Sequence, residues 1–263
     1  MPVVMFAPRS KPERTWTSAS SGPEGGALCD QGGRPLGPRA MNTRVRILDA
    51  TVELLGEKPM RDLRVIDIAR RIGTSPATFY QYFKDVEDVV LHLASRVSEF
   101  TPEIVELIEG DWSGRDGHAR GRKLAELVIR HWDRYAPILR VRNNACDEGD
   151  VAFRELRMSA MMPLVHAFAQ RIEASQAKAA RVEAEEGTHG PEAGELGTNT
   201  AGASDEASWQ GGNLHPMMGA VALASILERL AMYHVSIEEL GGSREQLIET
   251  LATLLQSMLT ARR

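Results

Sequence analysis

The chain has 263 residues, a mass of 28.9 kDa and 43% hydrophobic residues, so it is long enough to bury one or two cores. Its net charge is -5, and its two cysteines, Cys29 and Cys146, cannot build a disulfide framework. No run of about 18 uncharged apolar residues predicts a membrane span. We therefore expect a cytoplasmic protein that makes no membrane contact.

The charge is divided unevenly along the chain. Residues 34–84 contain ten Lys/Arg against five Asp/Glu, whereas residues 183–213 contain seven Asp/Glu and no Lys/Arg. A basic module on an acidic chain directs phosphate attraction to one place, which is typical of nucleic-acid binding. The sequence has no HExxH, GxSxG, CxxC or Gly-rich phosphate loop, so we expect no enzyme, no metal and no cofactor.

The N-terminal segment predicts a disordered extension over residues 1–33, because it is rich in Ser, Gly and Pro without periodicity. A basic arm, residues 33–39 (Gly-Arg-Pro-Leu-Gly-Pro-Arg), follows, and its prolines should hold it extended. Arginine beside proline on such an arm favours a narrow minor groove, and the arm looks like the Gly-Arg-Pro core of an AT-hook. Arg34 and Arg39 are therefore candidate DNA contacts; a solvated basic linker is the alternative.

A first helix is predicted over residues 43–56, because apolar residues recur with helical spacing from Ile47 onward. Arg44 lies in the first turn of this helix. Contact with DNA phosphate and simple surface solvation are equal alternatives for its side chain.

A helix, a tight turn and a second helix are predicted around Gly73. This glycine suits a turn position with positive φ, Ser75 can cap the following helix, and Pro76 fits its first position. Phe79 and Phe83 lie four residues apart and can enter one core. Polar and aromatic residues on the other faces suit insertion into a DNA major groove; an ordinary three-helix packing unit is the alternative.

These residues closely resemble the DNA-binding domain of TetR-family transcription regulators over residues 43–93. The resemblance is carried by Ile47–Ala50, Asp67–Ala69, Gly73–Ser75 and Ala77–Phe83. It implies an all-α fold, with an N-terminal three-helix DNA-binding domain over residues 34–84. A helical effector-binding and dimerisation domain over residues 85–263 would follow.

The resemblance also implies which residues meet DNA. Recognition-helix positions facing bases, backbone or phosphate correspond to Ser75, Pro76, Ala77, Thr78, Tyr80, Gln81, Tyr82 and Lys84. Two positions depart from the family pattern. Arg64 stands where members usually have Ser or Thr capping the second helix, and it is a candidate to replace part of the phosphate binding. Val86 stands where they often have Lys.

The C-terminal half predicts further helices. One apolar stripe runs from Leu124 to Tyr135 and is predicted to end before Pro137, and a later helix capped by Asp150 should kink at Pro163. Aromatic and methionine side chains suggest a hydrophobic pocket, although methionines also fill ordinary cores. By resemblance the pocket would bind an effector, and its candidate residues are Trp132, Tyr135, Phe153, Met158, Met161 and Met162.

Residues 183–213 predict a mobile acidic loop, and two helices follow it. Pro216 opens the first helix, and Ser243 with Gln246 forms a capping box for the second. These helices could complete the core of one chain. By resemblance they pair with a second copy as a homodimer, through Leu223, Ile226, Leu227, Leu230, Leu247, Leu251, Leu254, Leu255 and Met258.

The function that these features favour is a dimeric repressor of a palindromic DNA operator, released by a small hydrophobic effector. A transcriptional activator and a low-specificity DNA-coating regulator are alternatives within DNA binding. A helical ligand-binding protein or enzyme without a DNA role is the alternative from another class.

Overall fold

The structure is a computed structural model that describes residues 29–98, 101–187 and 214–260. Its described residues are helical with short connections, and they contain one isolated β-bridge, between Cys29 and Pro35, and no strand. The all-α prediction is confirmed. The helices are α1 (Pro38–Glu57), α2 (Val65–Arg71), α3 (Pro76–Tyr80), α4 (Val86–Ser98), α5 (Thr101–Glu109), α6 (Gly114–Asp147), α7 (Val151–Gly187), α8 (Pro216–Met232), α9 (His234–Glu239) and α10 (Arg244–Leu259).

The chain divides into two compact units. Unit 1 comprises Met1–Phe100 and Arg130–Ala160, and unit 2 comprises Thr101–Ile129 and Met161–Arg263. Helices α6 and α7 each contribute residues to both units. None of the helices in the described ranges is long and apolar enough to cross a bilayer.

In unit 1, α1 packs against α2 and α4, and α2 packs against α3. Residues of the apolar faces predicted from periodicity form this core, among them Ile47, Ile68, Phe79 and Val89, and Leu48, outside the predicted face of α1, joins them; all five are 0% exposed. Because α3 has only five residues, its orientation depends on these tertiary contacts and not on its own hydrogen bonds.

The predicted turn chemistry between α2 and α3 is confirmed. Gly73 has φ +68°, a conformation that costs a residue with a Cβ about 1 kcal/mol or more. The Ser75 hydroxyl accepts a hydrogen bond from the Thr78 amide at 3.3 Å, and Pro76 occupies the first helical position. The turn therefore sets the point at which α3 begins.

Unit 2 is held together around Trp112, which is 0% exposed in the connection between α5 and α6. Its indole Nε1 donates to the Ile108 carbonyl at 2.8 Å, and its own carbonyl accepts from Thr260 Oγ1 at 2.8 Å. On α6, a Cβ at Gly121 would lie 3.0 Å from the Ala252 backbone of α10, so glycine permits this close helix approach. The predicted capping box is present, with Ser243 and Gln246 each accepting from the other's backbone amide.

Several predicted boundaries were wrong. Helix α1 begins at Pro38 and not at Thr43, because Pro38 supplies a favourable first turn. Helix α6 continues through Pro137, since burial of the next two residues, Ile138 and Leu139, offsets the lost amide donor. Helix α7 contains Pro163 in its interior, as predicted, whereas the short helix α9 was not predicted.

The two segments predicted to be mobile fall mostly outside the described residues. Of the predicted N-terminal extension, residues 1–28 lie outside them, and residues 29–33 form an ordered turn. Helix α7 extends to Gly187, so residues 183–187 of the predicted acidic loop are helical. Residues 188–213 lie outside the described ranges.

The buried aromatic of α3 gives a direct test of this packing. Phe79→Ala should lower the free energy of unfolding by about 3–5 kcal/mol, because it leaves a cavity under α3. Tyr80→Ala, in the neighbouring residue that is 53% exposed, should cost less than about 1 kcal/mol. Urea unfolding followed by circular dichroism measures both, and equal losses would contradict this burial pattern.

Candidate nucleic-acid interface

Helix α3 turns its apolar side inward and leaves a polar surface outside. Phe79 and Phe83 are 0% and 2% exposed, and their ring centroids are 5.9 Å apart. The exposed residues of this segment are Ser75, Pro76, Ala77, Tyr80, Gln81 and Lys84, while Thr78 and Tyr82 are half-buried. The structure thus brings together the eight residues of the predicted recognition segment on one short stretch of chain.

Arg64 lies at the start of α2 and is exposed. An arginine side chain has only hydrogen-bond donors and cannot cap a helix as Ser or Thr does. The Asp67 carboxylate supplies the other half of a capping box, accepting from the Arg64 amide at 3.1 Å and also from Lys58 Nζ at 2.6 Å. The hydrogen bond from Lys58 and then that from the Arg64 backbone lower the pKa of Asp67. The Arg64 guanidinium therefore does not cap the helix and can contact an anion.

Arg44, predicted as a possible phosphate contact, lies in the interior. It is 7% exposed, its guanidinium lies 5.0 Å from the Phe83 ring centroid, and its NH2 group contacts His92 Nε2 at 2.8 Å. Burial of this side chain lowers its pKa. We remove Arg44 from the candidate DNA contacts, because a buried guanidinium that joins α1 to α4 cannot reach phosphate.

Two other arginines of the basic module are also engaged within it. Arg71 forms ion pairs with Glu53 at 3.1 Å and with Glu57 at 2.8 Å. Arg46 donates to the carbonyl of Ile72, at the end of α2. Both side chains join α1 to α2 or its end, so the phosphate attraction of the module depends on its other basic residues.

The predicted arm is not extended. Residues 29–35 fold into a turn closed by the bridge between Cys29 and Pro35, and Arg34 is exposed in it. Arg39 lies in the first turn of α1 and is also exposed. Sequence reasoning missed Gln31, whose backbone amide donates to the Gln81 carbonyl at 2.9 Å. An Asp-x-Gly turn signal at Asp30 was present, but no local pattern indicates this contact across 50 positions.

Comparison with known proteins decides the family. The profile of the family described as "Bacterial regulatory proteins, tetR family" matches residues 47–93, and that of "Tetracyclin repressor-like, C-terminal domain" matches residues 104–211. The chain belongs to the TetR family.

Two curated relatives match about a third of the chain or less. The Fatty acid metabolism regulator protein of Bacillus subtilis is 28% identical over 89 residues, which are 34% of this chain and 43% of the relative. The HTH-type transcriptional regulator EthR of Mycobacterium tuberculosis is 37% identical over 71 residues, 27% of this chain and 33% of the relative. The matched part thus spans less than half the length of each relative.

Two solved structures share the fold over most of the chain. The fatty acid degradation regulator FadR from Bacillus halodurans has a TM-score of 0.53 at 15% identity. The match covers 87% of this chain and 100% of the FadR chain. A transcriptional regulator from Pseudomonas aeruginosa PAO1 has a TM-score of 0.52 at 13% identity, and the match covers 84% of this chain and 93% of the regulator's chain. At these identities the likeness establishes the TetR-family fold alone.

The predicted effector-binding residues of this TetR-family chain fall in both units. Trp132 and Phe153, in unit 1, are 3% and 0% exposed, and Tyr135 there is half-buried with its ring 5.0 Å from that of His131. Met158 is 52% exposed, which removes it from the pocket lining of a single chain. Met161 and Met162 are half-buried and belong to unit 2.

The predicted dimer residues divide by burial. Five of them fill the core of the single chain at 6% exposure or less, and these are Leu223, Leu227, Leu247, Leu251 and Leu255. Leu230 and Met258 are half-buried, whereas Ile226 and Leu254 are 36% and 39% exposed. The five buried leucines are therefore corrected to core residues of the protomer. The exposed apolar residues that periodicity missed are Met218 and Val221 of α8 and Tyr233 directly after it.

The contact between Arg44 and His92 predicts a pH dependence of stability. Because arginine only donates, His92 Nε2 must accept, so the ring is neutral with its proton on Nδ1. Burial, then the charges of Arg44 and Arg96, lower the pKa of His92 to about 4. Asp88 is the acid whose charge acts on Arg44, the partner of His92. As pH falls from 6.5 towards 4, the unfolded chain takes up a proton that the folded chain refuses, so stability is lost.

His92→Gln keeps an acceptor for Arg44 and removes the titration. It should reduce proton uptake on unfolding near pH 5 by up to about one proton, so its stability should fall less between pH 7 and 5. Urea unfolding at the two pH values measures this. His131, whose pKa burial also lowers to about 4, is present in both proteins and cancels in the comparison. An equal fall in both proteins would remove His92 from this account.

Proposed function

We propose that this chain is a DNA-binding transcriptional regulator that binds a palindromic operator as a homodimer and represses from it. The observation that carries the proposal is the fixed orientation of α3. Burial of Phe79 and Phe83 leaves Gln81 exposed beside Thr78 and Tyr82. An exposed amide can bond two groups of one base edge, whereas phosphate contacts hold the helix in place.

The basic residues that remain exposed around α3 supply the phosphate attraction. Arg39 and Arg64 are exposed at the starts of α1 and α2, and Lys84 is exposed in the connection between α3 and α4. Binding that releases counterions from several phosphates weakens steeply as salt concentration rises. We therefore assign these three residues to backbone contact and Gln81 to base reading.

Homodimerisation is supported by exposed apolar side chains on two helices that contact each other, α8 and α10. Met218, Val221 and Ile226 on α8, Tyr233 directly after α8, and Leu254 on α10 are between 36% and 59% exposed. An apolar surface of this kind is more stable when a second copy covers it. Two-fold symmetry would then present two α3 helices to successive major grooves, about 34 Å apart.

For the effector we propose a small hydrophobic molecule, with Trp132, Tyr135 and Phe153 as the candidate contacts. Fatty acyl compounds are the first to test, because two of the matched proteins are named as regulators of fatty acid metabolism and degradation. Such a molecule releases DNA only if it binds the non-DNA-binding conformation more tightly. An acyl compound that raises the unfolding temperature but leaves operator affinity unchanged would contradict this assignment.

The experiment that tests the proposed function is selection of binding sequences from random DNA with the full chain. The proposal predicts enrichment of an inverted repeat bound in the nanomolar range. Enrichment of no sequence, together with equal affinity for all DNA, would instead support the low-specificity coating alternative. A reporter gene behind the selected operator then separates repression from activation.

Gln81→Ala should weaken binding to the selected operator by roughly 5- to 150-fold and relax base preference, as expected for loss of a base-edge contact of about 1–3 kcal/mol. The salt dependence of DNA binding by this variant should equal that of the original protein. Arg64→Ala should show the opposite pattern, weakening all sequences alike and flattening the salt slope. Fluorescence anisotropy titrations at several salt concentrations distinguish them, and two identical patterns would contradict the division of roles.

Ile226→Asp and Leu254→Asp should each shift the protein from dimer to monomer at micromolar concentration, because each buries a charge in the proposed interface. Leu240→Asp is the matched control, since Leu240 is 88% exposed in the turn after α9 and belongs to neither α8 nor α10. Sedimentation velocity measures the outcome. A dimer that survives both substitutions would place the interface elsewhere.

A further inference from the structure

A short segment ahead of α1 is fixed to the end of the recognition segment. We call residues 29–35 the N-terminal clip. The Gln31 amide donates to the Gln81 carbonyl at 2.9 Å, and the Gln31 side-chain Nε2 donates to the Tyr82 carbonyl at 3.3 Å. One residue thus makes two hydrogen bonds to the two positions that directly follow α3.

The clip is also stiff by itself. The Asp30 carboxylate Oδ1 accepts from the amides of Gly32 and Arg34, both at 2.9 Å, and the Asp30 amide donates to the Arg34 carbonyl at 2.9 Å. Gly33 has φ +77°, which lets the chain reverse without strain. These bonds give Arg34 a defined place on the clip instead of a position on a flexible arm.

We propose that the N-terminal clip is a second DNA-reading element, in which Gln31 is a positioning residue and Arg34 enters the minor groove beside the half-site. The inference rests on the proposed function and deepens it. Gln81, the proposed base reader, is the last position of the recognition segment in the major groove, and the chain that follows it approaches the phosphate backbone. A clip bonded to residues 81 and 82 therefore lies where the adjoining minor groove begins.

The reach and chemistry of Arg34 fit that place. Arg34 is exposed and only three residues from Gln31, so its Cα lies within roughly 10 Å of the clip's anchor. Guanidinium is more weakly hydrated than ammonium and is favoured in the narrow, strongly negative minor groove of A·T-rich DNA. The clip would thus add a preference for A·T pairs outside the bases that α3 contacts.

The test uses the full chain and its selected operator in two versions, with the same half-sites but A·T or G·C flanks. The original protein should bind the A·T-flanked version roughly tenfold more tightly, within the range of one specific contact. Arg34→Ala should reduce this preference below about twofold. Arg34→Lys should bind the operator more tightly than Arg34→Ala does, but it should recover less of the preference for A·T flanks. Arg115→Ala, an exposed arginine of unit 2, is the charge-matched control and should leave the preference intact.

The positioning role needs its own comparison. Gln31→Ala and Asp30→Ala should lower the flank preference while leaving the thermal unfolding midpoint within about 1 °C, because the clip is exposed. Asp30→Asn retains a carbonyl acceptor and should keep the preference. A flank preference that Arg34→Ala leaves unchanged, or none in the original protein, would overturn the inference.

The two proposals fail in different ways. If Gln81→Ala loses operator binding while Arg34→Ala keeps the flank preference, only the clip inference is wrong. If selection yields no specific sequence, the proposed function is wrong and the clip inference fails with it.

Discussion

The burial of Phe79 and Phe83 is the constraint on which the proposed interface depends. A helix of five residues has too few hydrogen bonds of its own to set its orientation, so these two rings determine which side of α3 meets the core. The turn at Gly73 and the Ser75 cap then determine where the helix starts. The orientation and the start of α3 together determine which of its positions are exposed.

The charges of this module serve two different purposes, which the total charge does not distinguish. Arg44, Arg46 and Arg71 are bound to His92, to a backbone carbonyl and to two glutamates, so they hold helices together. Arg39, Arg64 and Lys84 are left exposed for phosphate. The basic module thus stabilises itself with part of its charge and offers the remainder to a partner.

How far the sequence could predict this structure depends on the range of each interaction. Gly73, Ser75 and the capping box at Ser243 act over a few residues, so local patterns predicted them correctly. The contacts of Arg44 with His92 and of Gln31 with Gln81 join positions about 50 residues apart, and no local pattern reveals them. Periodicity likewise marked the leucines of α8 and α10 as apolar, yet it could not tell a protomer's own core from a surface that a second copy would cover. For the candidate site, family resemblance supplied the residues of α3 and those that follow it, and burial removed Arg44 of α1 from the candidate DNA contacts.

The measurement that tests the central claim most directly is binding of the purified full chain to the DNA upstream of its own coding sequence. Labelled upstream DNA would be titrated in the presence of excess scrambled competitor, and the complex mapped by nuclease protection. The account predicts a specific complex with two protected blocks one helical turn apart, bound by two chains. Equal competition by scrambled DNA, followed by failure to select any sequence from random DNA, would contradict the claim that the exposed side of α3 reads bases.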